Sequence, residues 1–285
     1  MLCQLLRRRF FSSSTASTAP RGRITAREGC ILIDNGAKRN AMTLDMYRDV
    51  PGAVAAHLRG VQLSTRRVCL LAGAGTAAFG AGSDISEFPL NRTGAEAAAR
   101  YSEVEDAASR ALLSIPHPVL ARIHGPCYGG ALNLALTADL RYCADDATFC
   151  VPPAKLGIGY PRSLMDLLVN AVGPGNAKDL LFTARVVNAG EAMRMGLVNQ
   201  VLPKDELDAH CDRVAESIAR GLAPMTIAAA KMELAARAHY PAGSDARREA
   251  EAEADEAYAG VYESDDYKEG VRSFLERRRP IWSGK

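Results

Sequence analysis

His124-Gly125-Pro126-Cys127-Tyr128-Gly129-Gly130-Ala131-Leu132-Asn133 joins two apolar runs, Val119-Leu120-Ala121-Arg122-Ile123 before it and Leu132 to Ala138 after it. The first run reads as a buried strand and the second as a helix. Glycines between them let a ligand approach the backbone and let N–H groups face outward. A second loop stands in the same relation to the run Val68-Cys69-Leu70-Leu71-Ala72. It is Phe79-Gly80-Ala81-Gly82-Ser83-Asp84-Ile85-Ser86-Glu87-Phe88. Two N–H groups from separate loops can hold an oxyanion. Each loop also has a plainer explanation. Gly129-Gly130 permits close helix–strand packing, and Gly82-Ser83-Asp84 makes a turn with a helix cap.

Around these loops the chain alternates. Ile24 to Asp34 reads as a strand or a hairpin, with Asn35-Gly36 as turn punctuation. Thr43 is placed to cap a helix from Leu44 to about Leu58, and Asp45 suits its first turn. A helix from about Gly94 to Leu113 stops at Ile115-Pro116-His117-Pro118. Leu140 to Ala144 and Thr148 to Val151 read as strands. Strands and helices alternating to about residue 200 predict an α/β core. From Lys204 to Arg279 only helical signals remain, enough for three or four helices with a role in subunit contacts. The expected organisation is a leader over 1–22, a core over 23–203 and a helical region over 204–285.

Of the 285 residues, 35 are Lys or Arg and 33 Asp or Glu, a net charge of +2 that gives no sign of a nucleic-acid partner. The excess comes from the N-terminus: Arg7, Arg8, Arg9, Arg21, Arg23 and Arg27 precede any acidic residue, among Ser12, Ser13, Ser14 and Ser17. That composition predicts a mitochondrial transit peptide and a matrix enzyme; the alternative is a disordered basic tail. No run reaches the ~18 apolar residues of a membrane span. The seven cysteines form no C-x-x-C pair and read as free thiols. The histidines are scattered, so no metal site is expected. P-loop, G-x-G-x-x-G and G-x-S-x-G patterns are all absent.

Lys38-Arg39-Asn40-Ala41-Met42, the loop from Phe79 to Ile85, and Gly125 to Gly130 follow one another in an order and spacing that resemble the crotonase superfamily, the enoyl-CoA hydratase/isomerase family. Ala138-Asp139-Leu140-Arg141, Phe182-Thr183-Ala184, Gly196-Leu197-Val198-Asn199 and Phe274 to Pro280 extend the likeness to the C-terminus. The resemblance implies a spiral of ββα units with a helical C-terminal trimerisation region. It implies a homotrimer or hexamer and an acyl-CoA substrate, with no cofactor beyond the coenzyme A of that substrate. It makes the Ser83 and Gly130 amides the donors to the thioester oxygen. It lays Asn40, Ala41 and Met42 along the coenzyme A, and puts Ala81, Asp84, Ile85, Gly129 and Pro153 around the substrate.

The sequence departs from that family at the acid/base positions. Where the hydratases carry two glutamates, this chain has Asn133 and Pro153. Asparagine can hydrogen-bond a water but cannot take its proton, and proline can do neither. Loss of an acid/base partner costs about 10²–10⁴ in rate, so efficient hydration is not expected. Tyr160 is the candidate replacement acid, with plain packing as its other reading. Lys155, Glu87 and Cys127 are weaker candidates, for which solvation or packing is the default. Three outcomes stay open: an acyl-CoA enzyme with unusual acid/base groups, an acyl-CoA-binding pseudoenzyme, and decarboxylation or thioester hydrolysis on the same scaffold.

Overall fold

The computed structural model describes residues 22–27, 29–60, 67–240 and 243–285. The expected leader, apart from Gly22, lies outside them. β1 (Arg23–Arg27) and β2 (Cys30–Asp34) pair antiparallel with Ile24 opposite Ile33, so the first alternating stretch is a hairpin. Then come β3 (Cys69–Gly73), β4 (Val119–Ile123), β5 (Cys127–Tyr128), β6 (Leu140–Ala144), β7 (Thr148–Cys150), β8 (Val187–Asn188) and β9 (Gln200–Leu202). One sheet has the order β1-β2-β3-β4-β6-β9 and is parallel from β2 onward. A smaller sheet has the order β5-β7-β8. The units β4-β5 and β6-β7 each place one strand in each sheet before a helix, as in a ββα spiral.

The helices between strands are α1 (Leu44–Gly60), α2 (Phe88–Asn91), α3 (Ala95–Leu113), α4 (Gly129–Leu136), α5 (Pro153–Leu156), α6 (Arg162–Thr183) and α7 (Ala189–Met195). Thr43 Oγ1 accepts the Met46 amide at 3.2 Å, the cap expected for α1. α4 begins three residues before its apolar run, directly at the paired glycines. After β9 come α8 (Leu207–Gly221), α9 (Pro224–His239), α10 (Asp245–Glu263) and α11 (Asp265–Leu275). Ser264 caps α11 by accepting the Tyr267 amide at 3.0 Å.

Both faces of the large sheet are covered, which is why its strands read as unbroken apolar runs. On β4, Val119, Ala121 and Ile123 enter the main core, while Leu120 faces a second cluster with Tyr142, Leu202, Leu207 and Cys211. The helices α1, α3, α4 and α6 supply the main core, and α8 supplies the other. Phe79, wholly buried in the main core, anchors the first glycine loop. Phe79→Ala is expected to cost about 3–5 kcal/mol, read as a lowered midpoint in urea unfolding.

Candidate active site

The two glycine loops meet through one rung of backbone pairing. Gly80 and Cys127 form a parallel bridge: the Gly80 amide donates to the Pro126 carbonyl at 3.1 Å, and the Tyr128 amide to the Gly80 carbonyl at 3.0 Å. Ser83 and Gly130 each lie three residues past that rung. Each follows a glycine of left-handed conformation, Gly82 at φ +96° and Gly129 at φ +48°. Those angles favour glycine, and a Cβ on Gly82 would also lie 3.0 Å from the Tyr128 carbonyl oxygen. The first loop is held from behind, since the Met42 amide donates to the Gly82 carbonyl at 2.8 Å and the Asp84 amide to the Met42 carbonyl at 2.7 Å.

The Ser83 amide itself donates to no acceptor among the described residues. The Gly130 amide lies in the first turn of α4, where a helix offers its N–H groups no internal acceptor and carries its positive dipole end. Two such donors from separate loops can together stabilise a developing oxyanion.

Of the residues singled out in the sequence, Ala81, Ser83, Ile85, Gly129, Gly130, Asn133, Pro153 and Tyr160 line a single pocket. Its volume of about 70 Å³ is room for roughly five or six small groups. Four expected binding residues do not line this pocket. Asn40 is spent on structure: its Oδ1 accepts the Asn35 amide at 3.0 Å, and its Nδ2 donates to the Ala74 and Ala78 carbonyls at 2.9 and 2.8 Å. Ala41 and Met42 are buried behind the first loop. Asp84 turns to Lys38 at 2.6 Å and accepts the Ser86 amide at 3.1 Å, which caps the next turn.

The weaker candidates find other work. Glu87 accepts the Leu44 amide at 2.9 Å and so caps α1 rather than facing open solvent. Lys155 is exposed. Cys127 is fully buried, and burial pushes its thiol well above the usual range, so it is no nucleophile. Among the described residues no group of three or more His, Cys, Asp or Glu side chains could hold a metal.

Asn133 and Tyr160 prove to be partners: the phenol of Tyr160 donates to Asn133 Oδ1 at 2.5 Å. Burial, with Glu105 nearby, holds the Tyr160 phenol above its ordinary pKa, so it stays protonated at neutral pH. Glu105 and Arg92 are pocket residues that the sequence reading passed over. Glu105 Oε1 accepts the Ser83 hydroxyl at 3.1 Å, and that hydroxyl also meets the Tyr47 hydroxyl at 2.9 Å. Burial raises the Glu105 carboxyl; Arg92 and the Ser83 hydroxyl pull it back. The available signal was periodicity, because Tyr101, Glu105, Ala108 and Leu112 share one helical stripe and Glu105 is a carboxylate within it.

Two interlocked sheets of ββα units, with paired glycine-borne amides over a small pocket, define a crotonase-fold acyl-CoA enzyme. The family model for enoyl-CoA hydratase/isomerase matches residues 28–285, and the chain belongs to that family. It is 33% identical over 224 residues to the carnitinyl-CoA dehydratase of Citrobacter koseri, spanning 77% of this chain and 82% of that protein. It is 30% identical over 256 residues to the methylmalonyl-CoA decarboxylase of Escherichia coli, spanning 89% and 94%. A solved enoyl-CoA hydratase/carnithine racemase from Magnetospirillum magneticum superposes with a TM-score of 0.79 at 33% identity, covering 91% of this chain and 94% of that one. The expected mitochondrial matrix address is overturned by these comparisons. The relatives are enzymes of Escherichia, Salmonella and Citrobacter, which points to a cytoplasmic protein.

Proposed function

We propose that the pocket binds a short acyl-CoA with its thioester oxygen between the Ser83 and Gly130 amides, and that the thioester enolate arises by loss of CO₂ rather than by hydration chemistry. One observation carries the reading: where the hydratases need two carboxylates, this site holds Pro153 and a hydrogen-bonded Asn133–Tyr160 pair. Tyr160 is a protonated acid, and the carboxylate near it, Glu105, accepts the Ser83 hydroxyl and faces Arg92 instead of replacing either missing glutamate. In decarboxylation the bond from the α-carbon to the carboxylate carbon breaks and its electron pair passes into the enolate. CO₂ departs, and the Tyr160 phenol protonates the α-carbon and is reprotonated from solvent. Both chemistries are named among the relatives; the methylmalonyl-CoA decarboxylase match, at 30% identity, spans more of both chains (89% and 94%) than the 33% identical dehydratase match (77% and 82%).

No cofactor is required beyond the substrate's coenzyme A. Phe274 and Leu275, strongly exposed on α11, support the assignment of the C-terminal helices to contacts in a homotrimer or hexamer. The function is tested by comparing CO₂ release from malonyl- and methylmalonyl-CoA with loss of enoyl absorbance from crotonyl-CoA. Release of CO₂ with negligible hydration is expected; rapid hydration and no CO₂ would sink the proposal.

A further inference from the structure

Arg92 and Glu105 form a buried charge pair in the wall of the pocket, with side chains 8% and 6% exposed, yet the pair is incomplete. The closest approach, Arg92 Nη2 to Glu105 Oε2, is 3.7 Å, too long for a hydrogen bond. Glu105 Oε2 has no hydrogen-bond partner among the described residues. The Arg92 side chain donates no hydrogen bond among the described residues. Its guanidinium instead lies against two nearly perpendicular rings, 5.1 Å from the Phe88 centroid and 4.6 Å from that of Tyr101. A buried guanidinium with unspent donors is costly unless a ligand uses them. The two ring contacts restrain it in advance, and a planar fork matches a carboxylate.

We propose that Arg92 is the specificity-determining residue of this site and receives a second carboxylate carried on the acyl group of a short acyl-CoA. This rests on the thioester site proposed above. Glu105 joins the Ser83 side chain to Arg92, so the carboxylate receptor lies next to the loop that carries the Ser83 amide. A β-carboxylate is only two bonds from the thioester carbonyl carbon, which suits so short a reach. Glu105 has its own part. Competing for the guanidinium, it keeps the grip on the substrate carboxylate loose. The carboxylate loses its charge as CO₂ forms, so a tight grip on it stabilises the ground state more than the transition state and lowers kcat together with KM. Arg92 therefore orients the group to be lost, and Glu105 prevents it from being held too well.

The test is binding of malonyl-CoA and butyryl-CoA to the full chain, read by rapid-mixing displacement before turnover, in wild type, Arg92→Met and Glu105→Gln. Wild type is expected to prefer malonyl-CoA. Arg92→Met should weaken malonyl-CoA by about 10- to 100-fold, the worth of a hydrogen bond to a charged group, with the loss confined to the carboxylated ligand. Glu105→Gln should bind malonyl-CoA more tightly than wild type and turn it over more slowly, a split between KM and kcat that a merely structural residue would not give. Equal losses for both ligands, or an unchanged preference in Arg92→Met, would overturn the inference. Arg92-dependent preference without CO₂ release would overturn the decarboxylation alone, and failure to bind either thioester would overturn both.

Discussion

Gly130→Ala is expected to lower turnover by about 10²–10³, the worth of one oxyanion donor, while the protein still folds. The reason is steric. A Cβ at position 130 would collide with the Tyr47 hydroxyl and come within 2.8 Å of Ser83 Oγ. Tyr47 is 1% exposed and locked in the main core, so the backbone at 130 must give way. That shift carries the donor amide off its position. The interpretation has its own control: Tyr47→Phe removes the colliding oxygen and should restore part of the rate to Gly130→Ala. If Gly130→Ala turns over at the wild-type rate, or if Tyr47→Phe gives no relief to a folded variant, the assignment of this amide fails. Folding is checked by circular dichroism and turnover by CO₂ release.

Tyr160→Phe is expected to cut product formation by about 10²–10³, within the range for a positioned proton donor, with little change in KM. The substitution removes one oxygen and keeps the ring that packs against the core. It leaves Asn133 Oδ1 without its donor, on the edge of a pocket that water can enter. A kcat effect alone marks a group that works after binding. Enolate that cannot be protonated promptly should also lose stereochemical control, so deuterium from heavy water should enter both faces of the α-carbon in Tyr160→Phe and one face in wild type. Equal rates in the two proteins would remove Tyr160 from the chemistry.

The order of strands and the two glycine loops was legible in the sequence because each rests on local rules. Apolar runs such as Val119 to Ile123 declare a strand covered on both faces, and Thr43 declares a helix start. Gly82 and Gly129 were visible as glycines, but not as the left-handed residues that come directly before the Ser83 and Gly130 amides. The Asn133–Tyr160 hydrogen bond joins residues 27 apart in the chain, and no local rule forecasts it. Arg92 and Glu105 escaped for a different reason. Charged residues near an Ala-rich helix are usually solvated, and only the packing of α1 and α3 around Tyr47 and Tyr101 shows that these two are enclosed. Asn40 misled in the opposite sense. It belongs to a family motif, yet its side chain ties together backbone on both sides of β3 instead of lining the pocket.

Both amides that define the site are main-chain groups set by a preceding glycine, and this separates two kinds of inheritance. A point mutation can exchange any side chain in the pocket, but it cannot delete a peptide N–H except by introducing proline or by distorting the turn that aims it. On the reading proposed above, a charge-stabilising apparatus of this kind can outlast exchanges of the side chains at positions 133, 153 and 160. A gene duplicate of such a protein can trade water addition for carbon–carbon cleavage in a few steps, with the costly part of the catalyst already in hand.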